Sequence, residues 1–343
     1  MDELSISSAD GQSAAWDELV AQAGGTLYHR SSTLDAVGAT FNHRVYRLAA
    51  WRDQRLVGVL PMVRLKSFAF GDFLVSLPLF NYGGPVATDD SAARALLETA
   101  SALVDELDVS HAEIRCVERT YEGWAHRTDK VVMRLKLAAT AGEQFSRFPS
   151  KLRAQIRRPA KDGFSARIGG IELVDVFYRV FSVNMRDLGT PVYPKRFFSN
   201  LLETWKDASA IVVVERQGEV AAAGFLVRDR DTVEIPWASS LQDFNRFSVN
   251  MLLYWESIQF AIETGATWFD FGRSSRDSGT YRFKAQWGAE PLQLQWHYRS
   301  RAGAHLPNIT PNNPKYRLAL AVWRRLPVAV SNRIGPWLAR GLP

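Results

Sequence analysis

The chain has 343 residues, of which 46% are hydrophobic, 12% aromatic and 23% charged. This length predicts about two domains, and the apolar fraction excludes an intrinsically disordered chain. The formal net charge is +6, yet eight basic residues and no acidic residue follow Glu290. The part up to Glu290 therefore holds 34 of the 42 basic residues against all 36 acidic ones, which argues against a basic nucleic-acid-binding body.

Cysteine and histidine usage limits the chemistry. Cys116 is the only cysteine, which excludes an intramolecular disulfide and a multi-cysteine zinc site. It falls on a predicted internal strand, so we expect a buried, unreactive thiol. The six histidines form no metal-binding motif, and no nucleophile elbow or phosphate loop is present. The N-terminus lacks a signal-peptide pattern and no apolar run reaches about 18 residues, which predicts a cytoplasmic protein.

The first half of the chain alternates between strand and helix patterns. Two helical segments, 16–23 and 32–41, come first. Strands are then predicted at 45–51, 56–65 and 73–80, with a polar turn at 52–55 between the first two. A loop at 81–85, a helix at 91–107 and a strand at 112–117 follow.

The same order returns in the second half, which indicates a duplicated α/β domain. Helical segments at 172–188 and 194–206 precede strands at 210–215, 220–227 and 233–238. A loop at 239–247, a helix at 248–264 and a strand at 267–271 complete the repeat. Each copy is expected to form a mixed sheet with helices on its faces.

This order of elements is that of the GNAT acyltransferase fold, whose third strand leads to a loop and helix N-terminus that hold a phosphate-rich donor. Standard donor loops contain glycines, which let backbone N–H groups approach pyrophosphate. The segment 242–248 contains no glycine, and Gly83-Gly84 is followed by Pro85. Neither loop therefore matches a standard acetyl-CoA site.

Six segments stand out within the two copies. They are YGGP (82–85), KLRAQIRR (151–158), RDLGTP (186–191), RFF (196–198), FDFGRS (269–274) and GTYRFKAQWG (279–288). These segments resemble the FemAB-type acyltransferases, a tandem-GNAT group, and most closely its branch associated with PEP-CTERM and exopolysaccharide systems. The long helical arm of some bridge-forming members has no counterpart here.

The resemblance implies amide-bond formation without a tightly bound cofactor. An amine attacks the activated carbonyl of an acyl donor, and a nearby cation stabilises the charge on the tetrahedral oxygen. The Phe-Lys pair of the family falls on Phe283-Lys284, which makes Lys284 the expected cation and Phe283 its neighbour in the site. The alternative interpretation is a surface lysine beside a core phenylalanine.

Two carboxylates are candidates for further roles. Asp270 lies in a predicted buried strand, where an ionised carboxylate needs a partner, and Arg273 could form that pair. Such a pair would shape the site, and the alternative role for Asp270 is general base. Glu234 is a second base candidate, because some GNAT enzymes carry a catalytic glutamate on this strand, although strand alternation could place it in solvent.

Basic and aromatic residues supply candidates for substrate binding. The segment Arg147–Arg167 contains seven basic residues and one acidic residue. Lys151, Arg153, Arg157 and Arg158 within it could bind a phosphate or diphosphate, the alternative being a solvated basic helix. Further candidates for the substrate groove are Tyr82, Tyr193, Arg196, Trp237, Asn245 and Tyr281.

The C-terminal tail reads as an amphipathic helix from Lys315 to Leu326. A helical projection puts Arg317, Arg324 and Arg325 on one side and a broad apolar face opposite, before Pro327 ends the pattern. The apolar face could dock on the body, or it could attach the protein peripherally to the inner face of the membrane.

The sequence thus predicts an α/β protein with mixed sheets, made of tandem GNAT-like domains over 1–145 and 146–300 and a basic helical tail over 301–343. Its predicted function is that of a Fem-like N-acyltransferase. The donor is acyl-CoA or aminoacyl-tRNA, and the acceptor is an amine of a cell-envelope or exopolysaccharide precursor. The alternatives are an acyl-CoA-dependent N-acetyltransferase of small-molecule amines and a non-catalytic scaffold of an envelope polysaccharide system.

Overall fold

A computed structural model describes residues 4–68, 70–301 and 320–342. The strands are β1 (Leu4–Ser8), β2 (Arg44–Arg52), β3 (Arg55–Ser67), β4 (Gly71–Val75), β5 (Val86–Ala87), β6 (His111–Val117), β7 (Ala125–Arg127), β8 (Lys130–Lys136), β9 (Ser165–Gly169), β10 (Ser209–Arg216), β11 (Glu219–Asp229), β12 (Thr232–Ser240), β13 (Trp268–Ser275) and β14 (Glu290–Ser300). The α-helices are α1 (Ser13–Gln22), α2 (Ser31–Phe41), α3 (Asp90–Glu106), α4 (Ala141–Arg147), α5 (Ser150–Lys161), α6 (Val174–Leu188), α7 (Lys195–Trp205), α8 (Val249–Glu263), α9 (Gly279–Ala285) and α10 (Val328–Ala339).

The described chain divides into two compact units. Unit 1 comprises residues 4–130 without 69, 293–301 and 340–342, and unit 2 comprises residues 131–292 and 320–339. The two units are therefore interleaved in sequence, whereas the predicted domains 1–145, 146–300 and 301–343 are consecutive. Strand β14 accounts for the difference, because from Leu294 onward it pairs with β6 of unit 1.

Each unit contains the predicted hairpin. Strands β2 and β3 are antiparallel, and Asp53 and Gln54 between them have φ of 48° and 65°. Strands β10 and β11 form the equivalent hairpin, in which Gln217 and Gly218 have φ of 52° and 82°. Positive φ at both central residues is typical of the two-residue turns that match the twist of antiparallel strands. The mixed α/β fold with duplicated hairpins is confirmed.

In unit 1 the sheet order is β1-β2-β3-β4-β6-β14, with β5 paired to β3 and β7 paired to β14. Neighbouring strands are antiparallel except β4 and β6, which are parallel. Helix α3 covers the sheet, and its buried residues Leu96 and Ala100 belong to the same core as Leu60 and Ile114. This cluster of buried residues therefore lies between α3 and the sheet of unit 1.

In unit 2 the sheet order is β8-β13-β12-β11-β10-β9, and its parallel pair is β12 with β13. Helix α8 contributes Leu253 and Ile258 to a core that also contains Val212, Phe269 and Trp287. Parallel pairing between the third strand and the strand after the helix is thus common to both units. This arrangement requires the helical crossover that the sequence pattern predicts.

One predicted segment differs from the structure, and of the predicted tail helix the described residues 320–323 are helical. The apolar run 73–80 is predicted as one strand, but β4 ends at Val75, because Leu77 and Leu79 have φ of 52° and 77°. The predicted tail helix begins at Lys315, and its residues 315–319 lie outside the described residues. Helix α10 starts after Pro327, at Val328. Within the described ranges, no helix is long and apolar enough to span a membrane.

Candidate active site

The candidate site lies where β12 and β13 stop pairing. The parallel register ends at Glu234 opposite Asp270, although β12 runs on to Ser240 and β13 to Ser275. Side chains in register on adjacent strands point to the same side of a sheet. Both carboxylates are buried, with 5% of Glu234 and 1% of Asp270 exposed. Strand alternation therefore does not place Glu234 in solvent.

Helix α9 brings Lys284 onto β13. The hydroxyl of Ser278 caps this helix by accepting a hydrogen bond from the Tyr281 N–H at 3.1 Å. The Lys284 ammonium donates to the carbonyls of Gly272 and Arg273, both at 2.9 Å. Only 6% of Lys284 is exposed, so it is a buried side chain held by main-chain acceptors and not a surface lysine.

Gly272 shapes the strand at this point. Its φ of 73° lies in the left-handed region, which a residue with a Cβ enters only with strain. The Gly272 N–H donates to Asp270 Oδ1 at 2.7 Å, so the preceding carboxylate holds the kink. Because of this kink, the successive carbonyls of Gly272 and Arg273 both accept hydrogen bonds from the Lys284 ammonium.

The second oxygen of Asp270 accepts a hydrogen bond from Arg134 Nε on β8 at 3.0 Å. Arg273 is the partner expected for Asp270 from the sequence, where Arg134 is not a candidate. Arg273 contributes its carbonyl to Lys284, while its side chain is exposed. The one available signal for Arg134 was a basic residue in the middle of the otherwise apolar run 131–135.

Burial and charge act in opposite directions on Lys284. Desolvation lowers the pKa of Lys284 to about 8, and the charge of Arg273 adds to this lowering. The carboxylates of Asp270 and Glu234 raise it. Lys284 is therefore an ammonium at neutral pH, and two of its three N–H groups donate to carbonyls. Among the described residues no other acceptor of its Nζ is seen, which leaves one N–H for a substrate oxygen.

A second polar group in this region lacks a partner. The Ser274 side chain is 4% exposed, and its hydroxyl makes no hydrogen bond within the described part of the chain. Ser274 lies two positions after Gly272 on the same strand. Buried hydroxyls nearly always have a partner in folded proteins, so this one marks a place where a ligand or water can bond.

Unit 1 carries the same strand register without the same site. Its parallel pair ends at Val75 opposite Glu113, so Arg115 takes the position that Gly272 has in unit 2. The Arg115 carbonyl accepts from the Gly83 N–H at 3.0 Å, and the Arg115 N–H donates to Ser76 Oγ at 2.9 Å. The loop 76–85 thus hydrogen-bonds the backbone of Arg115 in unit 1. At the equivalent position in unit 2, Lys284 and Asp270 hydrogen-bond the backbone of Gly272.

Packing explains the two glycines of this loop. A Cβ on Gly83 would lie 2.3 Å from the Ser76 carbonyl oxygen, and one on Gly84 would lie 2.6 Å from Cys116 Sγ. Both positions therefore exclude a side chain. Burial raises the pKa of Cys116 to about 12, which fits the expected unreactive thiol.

The remaining candidates fall in several places. Tyr82 belongs to unit 1 and stacks on Tyr28, with ring centroids 6.3 Å apart. Tyr193 and Trp237 contact Phe197 in an aromatic core of unit 2, with ring centroids 5.7 and 5.6 Å apart.

Two other candidates are exposed: Arg196 on α7, and Asn245 in the 3-10 turn before α8. Tyr281 and Phe283 share α9 with Lys284, and Phe283 packs against Tyr254 at 5.1 Å.

The basic candidates cover the outward side of α5. Leu152, Ile156 and Pro159 form the buried face of this helix. Lys151, Arg157 and Arg158 are exposed and Arg153 is half-buried. Arg157 lies over the Phe145 ring at 4.8 Å, and Arg158 contacts Asp162 at 4.0 Å. The outward side of α5 therefore carries a concentrated positive charge.

Among the described residues, no group of three or more histidine, cysteine or acidic side chains could hold a metal ion. The structure thus brings together Lys284, Asp270, Glu234 and the main chain of Arg273, with Arg134 as an additional member. This arrangement provides a buried cation that interacts electrostatically with two buried carboxylates. Such a site can stabilise an oxyanion and accept a proton.

Comparison with known proteins places this region in a defined domain. Residues 147–285 match the family described as acetyltransferase (GNAT) domain, a range that includes Glu234, Asp270 and Lys284. The chain is also 26% identical over 142 residues to the UDP-N-acetylmuramoylpentapeptide-lysine N(6)-alanyltransferase of Weissella viridescens. This match spans 40% of the chain and 42% of that relative. Residues 147–285 of unit 2 are thus similar to the GNAT acetyltransferase domain, and the similarity to the alanyltransferase covers less than half of either chain.

Solved structures share the whole fold at low sequence identity. The crystal structure of FemX has a TM-score of 0.65 at 14% identity, covering 93% of this chain and 100% of that one. A tandem GNAT protein from the clavulanic acid biosynthesis pathway has a TM-score of 0.53 at 13% identity, covering 86% and 97%. These similarities show a GNAT-like fold in tandem.

Proposed function

We propose that the protein is a Fem-like N-acyltransferase that forms an amide bond between an activated acyl or aminoacyl donor and an amine of a cell-envelope precursor. The observation that carries the proposal is Lys284, a buried ammonium with one N–H left for a substrate, inside a GNAT domain. A scaffold without a substrate has no use for a buried cation, because desolvating a charge costs free energy.

The site residues divide into two roles. Lys284 stabilises the negative charge on the carbonyl oxygen when the acceptor amine adds to the donor carbon. Glu234 accepts the proton that the amine loses, and the donor's thiol or ribose oxygen leaves with the bonding pair. Asp270 acts as a positioning residue, since its oxygens are held by Arg134 and Gly272.

The donor is acyl-CoA or aminoacyl-tRNA, both of which carry phosphates. The outward side of α5 supplies the matching positive charge through Lys151, Arg153, Arg157 and Arg158. The segment before α8 contains no glycine, which argues against the standard cradle for acetyl-CoA. No tightly bound cofactor is part of the proposal.

For the acceptor, we propose an amine on a peptidoglycan or exopolysaccharide precursor, in the cytoplasm. The partial match to an alanyltransferase of a muramoylpentapeptide lysine supports the first class. The resemblance to the PEP-CTERM and exopolysaccharide branch supports the second. An acyl-CoA-dependent N-acetyltransferase of small-molecule amines remains the competing function because of the GNAT match.

A donor and acceptor screen tests the proposal. The purified full chain is incubated with acyl-CoAs or with alanyl-tRNA, together with UDP-muramoylpentapeptide, amino sugars or small amines, and products are identified by mass. We expect an amide product that Lys284→Met and Glu234→Gln reduce about a hundredfold. Arg157→Gln combined with Arg158→Gln should weaken donor binding and its salt dependence, and Arg179→Gln combined with Arg228→Gln, both exposed, serves as the charge-matched control.

Transfer from acyl-CoA to small amines alone would support the competing N-acetyltransferase. If neither donor class produced an amide or raised the melting temperature, the protein would be a scaffold and the proposal would be wrong.

A further inference from the structure

Helix α10 is attached to unit 2 by its small residues. Ser331, Gly335 and Ala339 are spaced by four and are buried. A Cβ on Gly335 would lie 2.9 Å from the backbone nitrogen of Val192, which shows how closely the helix approaches the segment before α7. The small-residue face of α10 is therefore docked on unit 2.

Two arginine side chains, one on α6 and one in the tail, fix the chain just before α10. Arg186 Nη1 donates to the Leu326 carbonyl at 3.1 Å, and Arg324 Nη2 donates to the Leu188 carbonyl at 3.2 Å. These bonds join the end of α6 to the turn that precedes Pro327. Helix α10 is therefore held on unit 2 in two places: by these bonds before its first residue, and by the packing of its buried small residues.

The opposite face of α10 is apolar and open. Val330, Ile334 and Trp337 follow the spacing of one helical stripe and are 37%, 41% and 69% exposed. Leu188 and Val322, at the attachment point, are also exposed. Five of the eight exposed large apolar side chains in the described ranges thus belong to the end of α6 and the tail. We call the stripe Val330, Ile334 and Trp337, with Leu188 and Val322, the tail patch.

Positive charge surrounds the tail patch. Arg324, Arg325 and Arg333 are exposed in the same segment. The sequence contains no acidic residue after Glu290, so nothing in the tail neutralises them. An apolar stripe with an exposed tryptophan and flanking arginines is typical of helices that lie in the interface of anionic membranes.

We infer that the tail patch binds peripherally to the surface of an anionic lipid bilayer. The apolar stripe enters the headgroup region, while the arginines meet lipid phosphates. Each basic side chain close to such a surface strengthens binding by about fivefold. The inference rests on the tail patch alone and does not depend on the proposed acyl transfer.

Co-sedimentation with vesicles tests the inference. The full chain is mixed with large vesicles of phosphatidylcholine containing about a third phosphatidylglycerol, or of phosphatidylcholine alone, at low and high salt. We expect binding to the anionic vesicles only, weakened at least tenfold by high salt. Ile334→Ser with Trp337→Ser should abolish it, and Arg325→Gln with Arg333→Gln should weaken it more than tenfold.

The matched control is Ile168→Ser with Ile171→Ser, which removes two exposed isoleucines of the same unit outside the tail patch. It should bind like the native chain, and circular dichroism should show all variants folded. Equal binding by the Ile334/Trp337 variant, or no binding by the native chain, would overturn the inference. If that variant instead changed the mass of the particle in light scattering while vesicles did not bind, the patch would join two copies of the chain.

Discussion

Arg134 and Asp270 form an ion pair of unequal exposure, since a third of the arginine side chain reaches solvent and only 1% of the aspartate does. The two are 136 positions apart in sequence and lie on adjacent strands. The arginine therefore joins the Gly272 N–H in offsetting the cost of burying this carboxylate.

Arg134→Gln should lower the free energy of unfolding by about 1 to 3 kcal/mol, because it removes the hydrogen bond and the positive charge that Arg134 provides to the buried Asp270. Arg167→Gln is the matched control, since Arg167 pairs with Glu215 at an exposed position and should matter by less than about 1 kcal/mol. Denaturant unfolding of both variants measures the difference. Equal losses of unfolding free energy in the two variants would show that the buried pair stabilises the protein no more than the exposed pair does.

Asp270→Asn should move the alkaline limb of the pH–activity profile to lower pH. In the proposed mechanism Lys284 acts as an ammonium, so activity should be present below its pKa of about 8 and be lost as pH rises through it. The Asp270 charge raises this pKa, and its removal must lower it. Initial rates at saturating donor from pH 6 to 10 test this. An alkaline limb at the same pH or at a higher pH would contradict the assignment of Lys284 as the titrating cation.

Gly272→Ala should reduce activity more than its effect on stability accounts for. The substitution places a Cβ at φ of 73°, costs about 1 to 2 kcal/mol and displaces the carbonyls that hold Lys284. Gly265→Ala imposes the same kind of strain, at φ of 80° with no atom within 4 Å of the added Cβ. Melting temperatures and turnover are compared for both variants. Similar turnover in the two would show that the kink does not position Lys284.

The burial of Lys284 should also appear in stability against pH. Its folded pKa of about 8 lies below the unfolded value of 10.5, so the unfolded chain binds more protons between these limits. The free energy of unfolding should therefore rise by up to about 3 kcal/mol from pH 8 to 10.5, relative to Lys284→Met, and be flat below pH 8. Urea unfolding of the two proteins at each pH isolates this contribution. If the difference in unfolding free energy between the two proteins did not change with pH, Lys284 would be hydrated and not buried.

Hairpins, crossover helices and the duplication could be predicted from the sequence because they rest on local patterns: alternating apolar residues, polar turns and helical spacing. The assignment of 76–80 to a strand failed because Leu77 and Leu79 are apolar yet adopt positive φ, held by contacts with β6. Lys284 was located by a motif, whereas its carbonyl acceptors depend on the φ of Gly272. Arg134 was missed because no local pattern connects residue 134 with residue 270.

The loop 76–85 has a consequence for stoichiometry. In unit 1 its bonds to Arg115 lie at the position where, in unit 2, Lys284 bonds the strand and offers the N–H that we propose for the substrate. A chain with two copies of one fold is therefore expected to bind a single donor molecule. Titration with a non-hydrolysable donor analogue should saturate at one equivalent with a simple hyperbola, since the two halves present no equivalent sites that could cooperate.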